Sequence, residues 1–349
     1  ALLEPDAVLD SSFIRDELES RRTGQGDRFY DVTAWSLPFT FRVRAWMVRT
    51  LPGATELVPA LTPAEAVPFG QARYGYAFVP GSEASIRMVA GLLADSVRLW
   101  YAPKSFTQNG QAFPMGAFIV RVAANGPEVH DIVRRGAAAS GARVYALTSA
   151  MADSGTDLGS NSVIFVHPPR IVLVGGQGVS GNSFGFAWYT FDQRFHYPVT
   201  TVAAASLAGF RLSEFDVLVV PSVQGAGLDQ AISTRVAEWV RAGGTLITLD
   251  GATNWLAGER LGLARLRARR DTVRADSAGG AALPADVPGA IVRLTGDTLS
   301  ALLAGVRSVD LPAMINSGRV YTVPKDLHAG EAVLRYAPAP RHGEDCSRR

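Results

Sequence analysis

The stretch Arg170-Ile-Val-Leu-Val174 runs directly into Gly175-Gly-Gln-Gly-Val-Ser-Gly-Asn-Ser183. Further on come Val217-Leu-Val-Val-Pro221, an amphipathic segment from Asp229 to Ala242, and Gly244-Thr-Leu-Ile-Thr-Leu-Asp250. Short apolar runs alternating with a helical period predict a parallel sheet covered on both faces. In such sheets ligands sit where strands end and glycine-rich turns begin. Chemistry is therefore expected at 176–183, 221–225 and 250–254. In the helical segment Ile232, Val236, Trp239 and Val240 fall at i, i+4, i+7 and i+8, and Gly243-Gly244 ends it.

Working outward, Tyr74-Gly-Tyr-Ala-Phe-Val79 is strand-like, and Ser82 suits the N-cap of a helix with Ile86, Val89 and Leu93 inward. Val97–Tyr101 and Gly116–Val122 are further strands, with the turn dipeptide Asn109-Gly110 between them. A second helix follows Pro127, with Val129, Ile132 and Val133 inward and Gly141 as its stop, and then strand Arg143–Leu147. The pattern is β-α-β-β-α-β, a small three-layer unit. Asn161–Val166 is another strand, and His167-Pro-Pro169 is a hinge. Phe184–Phe195 is a helix with crowded aromatics, and Tyr197–Val202 is the second strand of the parallel sheet. Late strands are expected at Gly318–Val323 and Ala332–Tyr336.

The chain has 349 residues, enough for two or three domains, and 47% of them are hydrophobic. No apolar run reaches the roughly 18–20 residues that span a bilayer. A net charge of +2 gives no basis for nucleic-acid binding. Lys104 and Lys325 are the only lysines, a bias that genome composition explains without a functional cause. Cys346 is the only cysteine, which excludes a disulfide framework and a cysteine-based zinc site. No signal peptide is visible, and a start at Ala1 without Met suggests a processed or excised piece.

Three constellations bear on chemistry. Gly176-Gln-Gly178-Val-Ser-Gly181 matches the dinucleotide-binding spacing, but the carboxylate that holds the ribose is missing after the second strand, where Ala203-Ala-Ala-Ser206 stands. A hydrolase or glutaminase needs a nucleophile on a sharp turn after a strand. Asp250-Gly251-Ala252 carries no Ser or Cys there, and Ser222 would have to draw on His196 as its base. The Asp250 carboxylate is expected to cap the next helix. His328-Ala-Gly-Glu331 matches half of a zinc site, with only His342 downstream as a third ligand. His130 and His167 read as helix-surface and hinge residues.

Several segments resemble the region that follows the catalytic domain in large bacterial zinc carboxypeptidase-like proteins. They are Phe29-Tyr-Asp-Val-Thr-Ala-Trp-Ser-Leu-Pro38, Gly110-Gln-Ala-Phe-Pro-Met-Gly-Ala-Phe118, Asp157-Leu-Gly-Ser160, Val179-Ser-Gly181 and Trp239-Val-Arg-Ala-Gly-Gly-Thr-Leu246. In that family a carboxypeptidase A-type domain precedes a region similar to class I glutamine amidotransferases. The resemblance implies two three-layer α/β units, the second a flavodoxin-like parallel sheet with helices on both faces. The implied division is a tail over 1–52 after the peptidase domain, a linker over 53–72, a small α/β domain over 73–168, an amidotransferase-like domain over 169–340, and a disordered tail over 341–349. It implies an accessory role, either positioning substrate peptide or packing on the upstream peptidase domain. Zinc would belong to that peptidase domain, with no cofactor or metal ligand in this chain. A secreted or periplasmic address is implied. The alternative is a small-molecule-binding module without glutaminase activity, its pocket formed by Gly178, Ser180, Asn182, Ser222, Gln224 and Asp250.

Overall fold

The computed structural model describes residues 11–23, 37–41, 43–46, 48–50, 53, 69–224, 228–258, 261–264, 266–268, 291–297, 300–306, 310–314, 321–322 and 332–337. The chain falls into two compact units. One comprises Ala1–Pro59, Ala268–Leu299 and Arg307–Arg349, and the other Ala60–Arg267 with Ser300–Val306.

The first unit contains helix α1 (Ser11–Arg22) and the single turn α2 (Leu37–Phe41). It also holds a three-stranded antiparallel sheet, with Ile291–Gly296 between Asp310–Met314 and Leu334–Tyr336. Helix α1 is polar over most of its length, with the sequence Ser11-Ser-Phe-Ile-Arg-Asp-Glu-Leu-Glu-Ser-Arg-Arg22. Of the aromatic-rich segment 29–38, only Leu37 and Pro38 lie among the described residues. The strands Ile291–Gly296 and Asp310–Met314 were not expected. Pro312 marks the second as a non-strand by the usual rule, yet it occupies an outer strand, where a missing N–H costs no ladder bond.

The larger unit begins with β1 (Gly75–Phe78), α3 (Glu83–Ala94), β2 (Leu99–Tyr101) and the hairpin β3 (Phe106–Gln108) and β4 (Gln111–Phe113). It continues through β5 (Phe118–Arg121), the turn α4 (Val122–Asn125), α5 (Val129–Ser140) and β6 (Val144–Leu147). The sheet order is β6-β1-β5-β2, every pair antiparallel, with β8 (Ile164–Phe165) added beside β2. This is the connectivity of two interleaved split β-α-β units. Helices α3 and α5 cover one face: Tyr76, Phe78, Met88, Leu92, Val129 and Val133 share one apolar cluster. The opposite face, with Ala77, Ile119 and Leu147, packs on Phe106, Phe113 and Leu158. The β3–β4 hairpin, which short-range patterning did not separate, pairs with β7 (Ser154–Gly155) as a lid on that face. Its turn is Asn109-Gly110, both at positive φ (51° and 71°), as the hairpin chemistry requires.

The caps follow the sequence. The Ser82 side chain accepts from the Ser85 amide, and Gly141 ends α5 in the left-handed region at φ 75°. Two side chains depart from expectation. Ile86 is 47% exposed, because the buried stripe of α3 runs through Ser85, Met88 and Leu92 and leaves Ile86 at its margin. His130 is half-buried rather than on the surface, with Nδ1 2.6 Å from the Tyr76 hydroxyl.

The second half of this unit is a parallel sheet of β9 (Ile171–Gly175), β10 (Val199–Ala203), β11 (Val217–Val220) and β12 (Thr245–Thr248), in the order β10-β9-β11-β12. Ile171, Leu173 and Val219 point into the cluster that holds Tyr76, Phe78 and Met88. Val172, Val174, Leu218 and Val220 point into a second cluster with Ile232, Val236 and Trp255. Period-two alternation thus feeds two cores from strands that read as unbroken apolar runs. Helix α6 (Gly181–Tyr189), continued by a π turn over Thr190–Arg194, covers the first face. Helices α7 (Gln230–Arg241) and α8 (Ala252–Leu256) cover the second. Asp229 caps α7 by accepting from the Ile232 amide at 2.8 Å.

The starts of β9 and β11 are pinned by charge. The Asp216 carboxylate accepts from the Arg170 amide at 2.8 Å and from its guanidinium at 3.3 Å. The Arg170 backbone bond first, and its side chain second, hold the Asp216 pKa below the ordinary 3.8. A depressed carboxylate pKa stabilises the fold above pH 3.8 and loses that effect as pH falls through the lower folded-state value. Because both side chains are about half exposed (61% and 49%), the effect is modest. Asp216→Ala is expected to lower the unfolding free energy by about 0.5–1 kcal/mol at pH 7. In urea titrations the difference from the parent should shrink on acidification below pH 4, and a pH-independent difference would contradict this account.

Candidate functional site

The three loops that leave the carboxyl ends of β9, β11 and β12 meet where the strand order reverses, between β9 and β11. This is the position at which open parallel sheets hold ligands. After β9 the backbone turns through Gly176 (φ 88°) and Gly178 (φ 85°), conformations that a side chain would strain. The Val179 amide donates back to the Gly176 carbonyl at 3.1 Å. Val179 then pairs antiparallel with Val223, the Ser180 amide donates to the Ser222 carbonyl at 2.8 Å, and the Gln224 amide donates to the Gly178 carbonyl at 3.0 Å. The first loop is therefore stitched to the second along its backbone.

Side chains complete the lacing. Ser180 is the N-cap of α6 and accepts from the Ser183 amide at 3.4 Å. The Ser183 hydroxyl, a residue the sequence reading did not single out, accepts from the Ser222 amide at 3.0 Å. Its signal was available, since Ser-x-x-Ser over 180–183 is close to the spacing of a capping box. The Ser222 hydroxyl donates to Asp250 Oδ2 at 2.8 Å and accepts from the Gly251 amide at 3.2 Å. A Cβ on Gly251 would lie 2.6 Å from the Ser222 hydroxyl oxygen, so a larger residue there would push the loops apart.

Of the six residues expected to form a pocket, the structure brings Gly178, Ser180, Ser222, Gln224 and Asp250 into this one network. Asn182 is exposed in the first turn of α6, and the hydrogen bonds that tie the loops do not run through its side chain. The cap expected from Asp250 is corrected. The N-cap residue of α8 is Gly251, which makes no side-chain cap, and Asp250 stands in the left-handed region at φ 45° with its carboxylate on Ser222.

Among the described residues no imidazole is hydrogen-bonded to the Ser222 hydroxyl. His196 precedes β10, whereas Ser222 follows β11, and the strands are parallel, so the two lie at opposite ends of the sheet. His196 Nδ1 is instead 3.1 Å from the Asp192 carbonyl. Ser222 and Asp250 are joined directly, hydroxyl to carboxylate at 2.8 Å, so the pair differs from a triad in which an imidazole stands between the two. The dinucleotide reading also fails in its detail. After β10 the chain enters a short 3₁₀ helix over Ala204–Gly209 that carries no carboxylate, and a Cβ on Gly176 would lie 3.4 Å from the Ala203 Cβ. His328, Glu331 and His342 lie outside the described residues. Among the described residues no group of three His, Cys, Asp or Glu is placed to hold a metal. Among them, too, no helix is long and apolar enough to cross a membrane.

No protein-family model matches this chain, and no curated protein matches it. Among solved structures, the crystal structure of beta-galactosidase from Bifidobacterium adolescentis aligns with 50% of this chain and 79% of its own, at 15% identity and a TM-score of 0.22. A likeness that slight carries no argument about fold or function.

The network predicts a graded response at Asp250. Asp250→Asn retains an acceptor for Ser222 and should cost under about 0.5 kcal/mol, whereas Asp250→Ala and Ser222→Ala should each cost about 1 kcal/mol. Because they remove the same bond, the double variant should cost less than the sum of the singles. Additive losses in chemical denaturation would contradict the pairing.

Proposed function

We propose that this chain is a non-catalytic accessory region of a zinc carboxypeptidase-like protein, with its parallel sheet a flavodoxin-like, amidotransferase-like unit. The observation that carries this reading is the closed network at the carboxyl ends of β9, β11 and β12. The hydroxyl and carboxylate that occupy the position of a nucleophile are committed to each other and to the Gly251 amide. The segments of the resemblance also fall on features that set the backbone. Gly116, within Gly110–Phe118, takes φ 84° between β4 and β5. Gly244, within Trp239–Leu246, has its α-carbon against the Trp239 ring, where a Cβ would lie 2.2 Å from a ring atom. The role of such a region is to position substrate peptide or to pack on the peptidase domain, while hydrolysis of the C-terminal peptide bond and its zinc belong to that domain.

The exposed positions of Gly178, Gln224 and Asp250 around the switch point favour one further reading, a small-molecule-binding module without glutaminase activity. Thermal-shift measurements with glutamine, nucleotides and sugars separate the two. A ligand at 100 times its dissociation constant stabilises a folded protein by about 2.7 kcal/mol. A shift abolished by Gly178→Val would establish the binding module, and no shift across the panel would remove it.

For the accessory reading, the chain alone is expected to release no C-terminal residues from peptides, with or without added zinc. Release that a chelator abolishes would overturn it.

A further inference from the structure

We propose that the larger unit carries a second site, separate from the loops of the parallel sheet, that binds an uncharged aromatic or acyl compound. A cavity of about 970 Å³ opens beside the amino end of α3. Its walls are Ile86, Tyr101, Met115, Phe118, Phe165 and Phe195. That volume stands at the upper end of the about 300–1,000 Å³ typical of small-molecule pockets, and the lining is of the same apolar kind.

The charges at its mouth define what it takes. Arg194 donates from Nε to Glu83 Oε1 at 3.0 Å, and both residues line the cavity. Each cancels the other. A charged ligand entering the cavity would give up its hydration and find its counter-charge already occupied, whereas an uncharged apolar ligand gives up nothing of the kind. Two more titratable residues, Tyr101 and His167, stand on the wall, and the His167 ring is edge-on to Phe165 with centroids 4.7 Å apart.

The cavity is a built feature. The segment Ser300–Val306 lies along one side as a strap, with Ala301, Leu302, Ala304 and Val306 in the lining. Three glycines, all at positive φ, allow it to sit there: Gly81 (90°), Gly116 (84°) and Gly305 (78°). A Cβ on Gly305 would lie 2.1 Å from the Pro80 carbonyl oxygen, and one on Gly116 would lie 2.5 Å from the Ala304 Cβ. Each contact is thus closed to any side chain. The strap also leaves Leu302 82% exposed, and Ile86 across the mouth is 47% exposed. An apolar ligand would cover the apolar surface that folding leaves open at these two residues.

The test uses two fluorescent probes that share a ring system, neutral N-phenyl-1-naphthylamine and anionic 8-anilinonaphthalene-1-sulfonate. The neutral probe should bind saturably at one site per chain, at least about tenfold more tightly than the anionic one. Ile86→Trp, which fills the mouth, and Leu302→Lys, which places a charge on the strap, should each weaken the neutral probe by about tenfold or more. Leu302 is almost fully exposed, so Leu302→Lys decides the matter even if the tryptophan variant folds poorly. Non-saturable uptake, affinity unchanged in the lysine variant, or an anionic probe that binds as tightly as the neutral one would each overturn the proposal.

Discussion

Strand β9 is buried along its whole length and on both faces, and the larger unit is organised around that burial. Ile171 and Leu173 enter the cluster that also holds Tyr76, Phe78, Met88 and Leu92, while Val172 and Val174 enter the cluster with Ile232, Val236 and Trp255. A strand in this position must be apolar at every residue, and it must leave its helix-covered neighbours by a turn that needs no side chain. The run Ile171–Val174 followed by Gly175-Gly176 satisfies both demands. One consequence is that the antiparallel sheet and the parallel sheet share a core through α3, α5 and α6. Another is that the glycine loop emerges where the strand order reverses.

What that loop does is governed by hydrogen-bond satisfaction. Buried or half-buried donors and acceptors must find partners, and here they find one another across three loops. Ser222 stands at the centre, using its amide, carbonyl and hydroxyl to reach Ser183, Ser180, Asp250 and Gly251. The hydroxyl is held directly by the Asp250 carboxylate, and His196, which the spacing offered as its base, is at the far end of the sheet. The same residue types in the same loops are compatible with binding and with scaffolding. The neutral, aromatic cavity under the strap has the opposite character: few polar groups, and a single ion pair at its mouth that cancels itself.

Local signals proved the most legible part of the sequence. The amphipathic period of α7, the Ser82 cap, the Gly141 stop and the Asn109-Gly110 turn all act within a few residues, and the structure carries each of them. Signals that depend on distant partners were less readable. Ile86 and Met88 lie on adjacent stripes of α3, and only the position of α5 and β1 decides which is buried. The β3–β4 hairpin is short and becomes visible only as the cover for Ala77 and Ile119. Pro312 concealed an outer strand whose pairing partner lies some twenty residues earlier in the chain. The grouping of Ser180, Ser222 and Asp250 was legible from strand-end logic alone. The role of Ser183 and the direction taken by the Asp250 carboxylate depend on how closely the loops approach.

The shared core is tested most directly by native-state hydrogen exchange on Leu173→Ala. Leu173 is fully buried, and truncating such a residue costs about 2–5 kcal/mol. If β9 anchors both sheets, slow amides in β1 and β5 should lose as much protection as those in β11 and β12. Loss confined to the parallel sheet, with β1 and β5 exchanging as in the parent protein, would show that the two sheets are stabilised separately and would contradict the account.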